Sequence, residues 1–170
     1  MQTRAIALSK SNILSLSLPL MSFLIPFVFS GPQLITGSIV NSILLVSYLK
    51  LERKISWPVI FLPSIAALLH GVVFGQFTAF LIFFLPWIWL GNFIFVFSFL
   101  LFKKTSNFFL VLFFSSCLKT AILFSFAFVY FHLNLIPKLF LTSMGLFQLI
   151  TAISGGLLSY PLIKSINKHG

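Results

Sequence analysis

The chain has 170 residues, of which 59% are hydrophobic, 18% aromatic and 7% charged, and its mean hydropathy is +1.14. A soluble domain of this size cannot bury so much apolar surface, so an ordinary water-soluble globule is excluded. The formal charge of +10 comes from 11 Lys and Arg against one acid, Glu52, and those positives sit in connections and ends rather than in a nucleic-acid-binding patch. A single cysteine, Cys117, leaves no internal disulfide framework and no multi-cysteine metal or iron–sulfur site.

Repeated apolar runs of about 20 residues predict an all-α polytopic membrane protein. The runs are continuous and lack the two-residue alternation of a membrane barrel. Residues 1–170 read as one integral membrane domain with six spans. The first covers about 5–30 and contains Pro19 and Pro26; the second covers 32–49. After the basic loop Lys50, Glu52, Arg53, Lys54 comes a third span, 55–73, with Pro58 and Pro63. The fourth, 76–102, is interrupted by Pro86 and Gly91 and closed by Lys103 and Lys104. The fifth is 107–133, and the sixth, 137–163, runs into a basic tail with Lys164 and Lys168.

With six spans, Arg4, Lys10, the 50–54 loop, Lys103, Lys104, Lys164 and Lys168 share one side, nine of the 11 positives. The other side keeps only Lys138. The excess of positive charge places both termini in the cytoplasm of a multi-pass cell-membrane protein. The first run also carries a passable cleavage site at Val28-Phe29-Ser30, but removing it would strand the C-terminal lysines on the opposite side from the N-terminus.

The fifth span places Lys119 near its centre. As a helix, the residue lies about 18 Å along the axis from Asn107 and about 21 Å from Leu133, too deep for its side chain to snorkel fully to either surface. An ionisable group at that depth costs roughly 2.5–3.5 kcal/mol to insert, which marks it as functional by default. Other polar residues recur at helical spacing. Gln33, Gly37 and Asn41 share one face of the second span, and Gln148, Thr151 and Gly155 share one face of the sixth. The tetrapeptide Gln33-Leu34-Ile35-Thr36 recurs as Gln148-Leu149-Ile150-Thr151, in a chain with only four glutamines. Asn92 follows Trp87 and Trp89 on the fourth span, and His70 lies near the outer end of the third.

The expectation is a mostly apolar small-molecule pocket with a few oriented polar groups: Lys119, Asn41, Asn92, Gln33, Gln148, Thr151, Thr36, His70 and Trp87. Lys119 is expected to meet an anionic or carbonyl-bearing ligand. The alternative is a non-transport membrane subunit whose polar groups hold helices or partners together. There is no carboxylate pair, nucleophile elbow, histidine cluster or phosphate-binding glycine loop, so no enzyme, metal or cofactor is expected. With no intramembrane acid, proton-driven transport is disfavoured, and active uptake would need energy from another subunit. Ala7, Ser11 and Ser15 form a small-residue stripe on the first span, a surface another helix can approach closely.

These stretches resemble the substrate-binding S components of energy-coupling-factor (ECF) transporters. The resemblance rests on Gly31-Pro32-Gln33-Leu34-Ile35-Thr36-Gly37 through Asn41, on Leu118-Lys119, and on Phe147-Gln148-Leu149-Ile150-Thr151-Ala152 through Gly156. Together they point to an S-component-like branch sometimes mislabelled iron hydrogenase, an activity this chain lacks the cysteines for. The resemblance implies a six-helix bundle that binds a vitamin-like nutrient from outside. Such a bundle docks on a transmembrane T component carrying two ATPases and topples to release its cargo. It also implies that Ala7, Ser11 and Ser15 stand where the family has an Ala-x-x-x-Ala docking stripe, with serine at two of the positions. The family's longer loop between the first two helices is here reduced to Gly31.

Overall fold

A computed structural model describes residues 2–29, 32–104 and 106–168, with the side chains of 13, 15–29, 32–104 and 106–165. The described residues are helical without a strand. The helices are α1 (Gln2–Val28), α2 (Gln33–Lys50), the short α3 (Arg53–Ser56), α4 (Pro58–His70), a 3-10 helix (Gly75–Phe84), α5 (Leu85–Phe102), α6 (Phe108–His132), the short α7 (Leu139–Met144) and α8 (Leu146–Lys168).

Three segments are long and apolar enough to cross a membrane: Gly75–Phe102, Phe108–His132 and Leu139–Ser165. A shorter apolar stretch, Ser15–Val28, lies in α1. The burial pattern of α6 is inverted relative to a helix of a soluble protein. Leu110 and Phe113 are 68% and 58% exposed, whereas Ser115, Ser116 and Lys119 are buried. A helix with phenylalanine outside and lysine inside fits a hydrocarbon surround and a polar interior.

Neighbouring helices close a ring: α1 packs on α2, α2 on α8, α8 on α6, α6 on α5, α5 on α4, and α4 back on α1. Helix α2 also touches α4 and α5 across the bundle. Helices α2 and α8 lie closest together, because glycine removes the side chains between them. A Cβ on Gly155 would stand 2.5 Å from the Ser38 carbonyl oxygen and 2.6 Å from Asn41 Cβ, and one on Gly37 would stand 2.9 Å from Thr151 Cγ2. Contacts that advance by four residues on both helices mean that α2 and α8 run parallel. Small residues at such crossings permit this approach.

Three of the predicted spans are subdivided. The expected 55–73 helix begins as the single turn α3, restarts at Pro58 and stops at His70, where Gly71 takes φ +78°. Proline is favoured at a helix start, and a left-handed glycine ends one. The expected 76–102 helix is 3-10 over Gly75–Phe84 and α from Leu85. Pro86 has no N–H to close an α turn onto Ile82; the Leu85 N–H bonds the Ile82 carbonyl instead, tightening the coil. The expected 137–163 helix breaks at Gly145 (φ −98°, ψ −99°) and then continues to Lys168. A Cβ on Gly145 would meet the Leu141 carbonyl oxygen at 2.7 Å and the Phe124 ring at 2.9 Å. The helices expected over 5–30, 32–49 and 107–133 are α1, α2 and α6 with boundaries shifted by a few residues, and of these α6 is among the segments long and apolar enough to cross a membrane. In α1 the Ser22 hydroxyl donates to the Pro19 carbonyl at 2.7 Å, and Asn107 caps α6 by accepting from the Phe109 N–H at 3.0 Å.

Candidate functional site

A cavity of about 120 Å³ lies between α2, α4, α5, α6 and α8, and Pro26 of α1 and Val73 and Phe74 before the 3-10 helix also line it. Its lining comes from one half of the bundle: the first half of α2, the last half of α4, the first half of α5 and the first turns of α8. Lys50, Arg53, Lys54, Lys103, Lys104 and Lys164 all belong to the opposite ends of these elements.

Lys119 sits at the floor, 3% exposed. Its Nζ donates to Asn41 Oδ1 at 2.6 Å and to Asn92 Oδ1 at 2.8 Å, and lies 5.4 Å from the centre of the Phe95 ring. Both carboxamides are oriented by their other end. The Asn41 Nδ2 donates to the Gly37 carbonyl at 2.9 Å and to Thr151 Oγ1 at 3.4 Å. The Asn92 Nδ2 donates to the Ile60 carbonyl at 3.0 Å. Thr151 in turn donates to the Gln148 carbonyl at 3.2 Å. With the Nδ2 of each engaged elsewhere, both asparagines turn oxygen toward the ammonium, joining α2, α5 and α6 at one point. The only acid in the chain, Glu52, stands in the loop before α3 at the far end of the bundle. The ammonium therefore has carbonyl oxygens around it and no carboxylate.

Higher in the cavity, the Gln33 Nε2 donates to the Ser143 carbonyl at 3.2 Å and the Thr36 hydroxyl donates to the Phe29 carbonyl at 2.8 Å. Gln148 also faces the cavity. The walls between floor and mouth are apolar: Val40, Ala67, Phe74, Leu81, Ile88 and Met144.

Seven of the nine residues predicted to line a pocket meet around this cavity: Lys119, Asn41, Asn92, Gln33, Gln148, Thr151 and Thr36. The other two stand apart from it. His70, at the end of α4, donates from Nδ1 to the Phe27 carbonyl at 2.6 Å, bracing α4 against α1. Trp87 stacks on Phe126 and donates from Nε1 to the Tyr130 hydroxyl at 2.8 Å, tying α5 to α6. Both are helix-to-helix ties, the use an indole or imidazole finds when one end is apolar and the other polar. Of the predicted docking stripe, Ser15 is half-buried on α1. The side chains of Ala7 and Ser11 lie outside the described residues.

Sequence reasoning missed the apolar lining and Ser64. Ser64 accepts from Trp89 Nε1 at 2.8 Å and donates to the Phe61 carbonyl at 2.9 Å. A serine inside an apolar helix was a usable signal, because its hydroxyl needs a hydrogen-bond partner there. Val40, Leu81, Ile88 and Met144 carried no signal, since a cavity-facing aliphatic residue is indistinguishable in sequence from a lipid-facing one. Among the described residues no group of three or more His, Cys, Asp or Glu could hold a metal ion. Comparison of the chain with protein-family descriptions, with curated proteins and with solved structures finds no match.

Proposed function

We propose that this protein is a six-span membrane subunit, both termini cytoplasmic, that captures a small polar or anionic micronutrient from outside the cell. In this reading it is the S-component-like subunit of an ECF-type ATP-driven importer. It hands its cargo to a T component with two ATPases, and it is not itself an enzyme. The observation that carries the reading is a cavity at one end of the bundle with a buried, acid-free ammonium at its floor. The basic loops belong to the opposite end; under the positive-inside rule that end is cytoplasmic, so the cavity faces out. The tetrapeptide shared by α2 and α8 supports it further, since both copies contribute a glutamine and a threonine to the same cavity.

A second reading is favoured by the Lys119–Asn41–Asn92 hydrogen bonds themselves. A polar knot of this kind ties helices together in a subunit that transports nothing, each interhelical bond contributing about 0.6 kcal/mol. Two measurements separate the readings. Affinity purification of the full chain from membranes brings down a T component and ATPases under the first, and other membrane subunits or nothing under the second. Native mass spectrometry of the purified protein finds a retained small molecule under the first. In Lys119→Met that molecule is lost; its retention at wild-type occupancy refutes the assigned role of Lys119.

A further inference from the structure

We propose that the cavity selects a monoanionic ligand with a compact apolar body, most simply a monocarboxylic acid no bulkier than about one aromatic ring, seated carboxylate-down on Lys119. The proposal rests on the preceding reading that the cavity takes a small nutrient, and it names the chemical class.

The floor sets the charge. Lys119 has three N–H donors, and two are directed at Asn41 and Asn92. The third is left over, and beside it one amide N–H of Asn92 is uncommitted, because the other three amide N–H groups of the two asparagines bond Gly37, Thr151 and Ile60. One lysine ammonium with one neighbouring amide N–H matches a single carboxylate. A phosphate has more charge and more acceptor oxygens than this floor supplies, and no arginine lines the cavity to meet it bidentately. A cationic ligand meets like charge with no acid to offset it.

The walls set the body. Val40, Ala67, Phe74, Leu81, Ile88 and Met144 form an apolar sleeve above the floor. A sugar or other polyhydroxylated ligand would lose water there without gaining partners. The volume of about 120 Å³ compares with a cavity of about 150 Å³ that holds one benzene. The mouth sets the outer end. Gln33, Thr36 and Gln148 are neutral and can accept or donate, so a small uncharged polar group fits there.

The test uses the full chain in lipid nanodiscs, with empty nanodiscs subtracting partition into lipid. Four probes are titrated by equilibrium dialysis: benzoate, benzamide, benzylamine and inorganic phosphate. Benzoate is expected to bind at least about tenfold tighter than its neutral isostere benzamide, the usual gain from a charge-assisted hydrogen bond. Benzylamine and phosphate are expected to show no saturable binding. In Lys119→Gln, which keeps a polar side chain facing Asn41 and Asn92, the benzoate preference is expected to vanish while benzamide binding stays. Val40→Trp, which fills the sleeve without touching the floor, is expected to abolish both. Equal affinity for benzoate and benzamide, tighter binding of phosphate, an unchanged benzoate preference in Lys119→Gln, or no probe binding at all would each overturn the proposed class. Co-purification of ATPases does not depend on the cargo, so failure here leaves the importer reading to stand or fall on its own measurement.

Discussion

The two ends of the bundle are built on different principles. At the end carrying the basic loops, Ile43, Leu44, Leu45, Val59, Ile60, Phe95, Val96, Phe99, Val111, Leu112 and Ala152 form one continuous apolar core. Gly156 presses against the Leu112 side chain there. At the other end a second cluster, built on Leu81, Phe84, Leu123, Phe140 and Met144, stands to one side and leaves the cavity between α2, α8, α4 and α5. The rings of Phe84 and Phe140 stack there with their centres 5.3 Å apart. Lys119 lies at the junction, its ammonium above the closed end and below the open one. A bundle closed at one end and hollow at the other can bind from one side without leaking to the other. On the proposed reading, selectivity and sealing belong to separate residues.

Substitutions at the two ends should separate in the same way. The largest effect on stability is expected from Phe99→Ala in the closed end, a loss of about 3–5 kcal/mol in unfolding free energy, with affinity per folded molecule unchanged. Altered affinity at constant folded fraction would show that the two ends are not independent. Gly155→Val should come next, at about 1–3 kcal/mol, because its side chain would collide with the Ser38 carbonyl and Asn41. Here affinity should fall too, since parting α2 from α8 moves Asn41 off Lys119. Asn41→Ala removes one of the two acceptors of the ammonium and should destabilise the fold by roughly 1–3 kcal/mol. Its measurement is paired with Asn92→Ala, and a double variant no worse than either single would identify the pair as one unit. The smallest effect belongs to His70→Ala, expected to cost about 0.6 kcal/mol, the scale of one interhelical hydrogen bond, and to leave benzoate binding in nanodiscs unchanged. A loss of binding would place His70 in the site despite its bond to Phe27.

Much of the site was legible because in an apolar helix each polar side chain is an exception that needs a partner. Lys119, Asn41, Asn92 and the two Gln…Thr pairs stand out for that reason, and helical spacing puts the members of each pair on one face. The same rule marks His70 and Trp87, yet these found partners outside the cavity, in the Phe27 carbonyl and the Tyr130 hydroxyl. Polarity shows that a residue must be satisfied; it does not show by whom. Hydropathy likewise located the helical segments and missed their breaks. The turn after Ser56, the 3-10 coil before Leu85 and the break at Gly145 depend on proline sterics and on close approach of neighbouring helices, which an average over a window erases.

By itself, then, the sequence determined a helical chain with an apolar exterior, a buried lysine far from the one acid, and an asymmetric distribution of positive charge. These follow from residue type and from distance along the chain alone. Only the tertiary structure decided that α2 and α8 lie side by side in parallel, that the two asparagines turn their oxygens to the same nitrogen, and that a hollow is left on one side of it. Those outcomes depend on which helices touch and how closely. In this bundle that is governed by where glycine permits contact and where bulky side chains prevent it, information shared between segments more than a hundred residues apart.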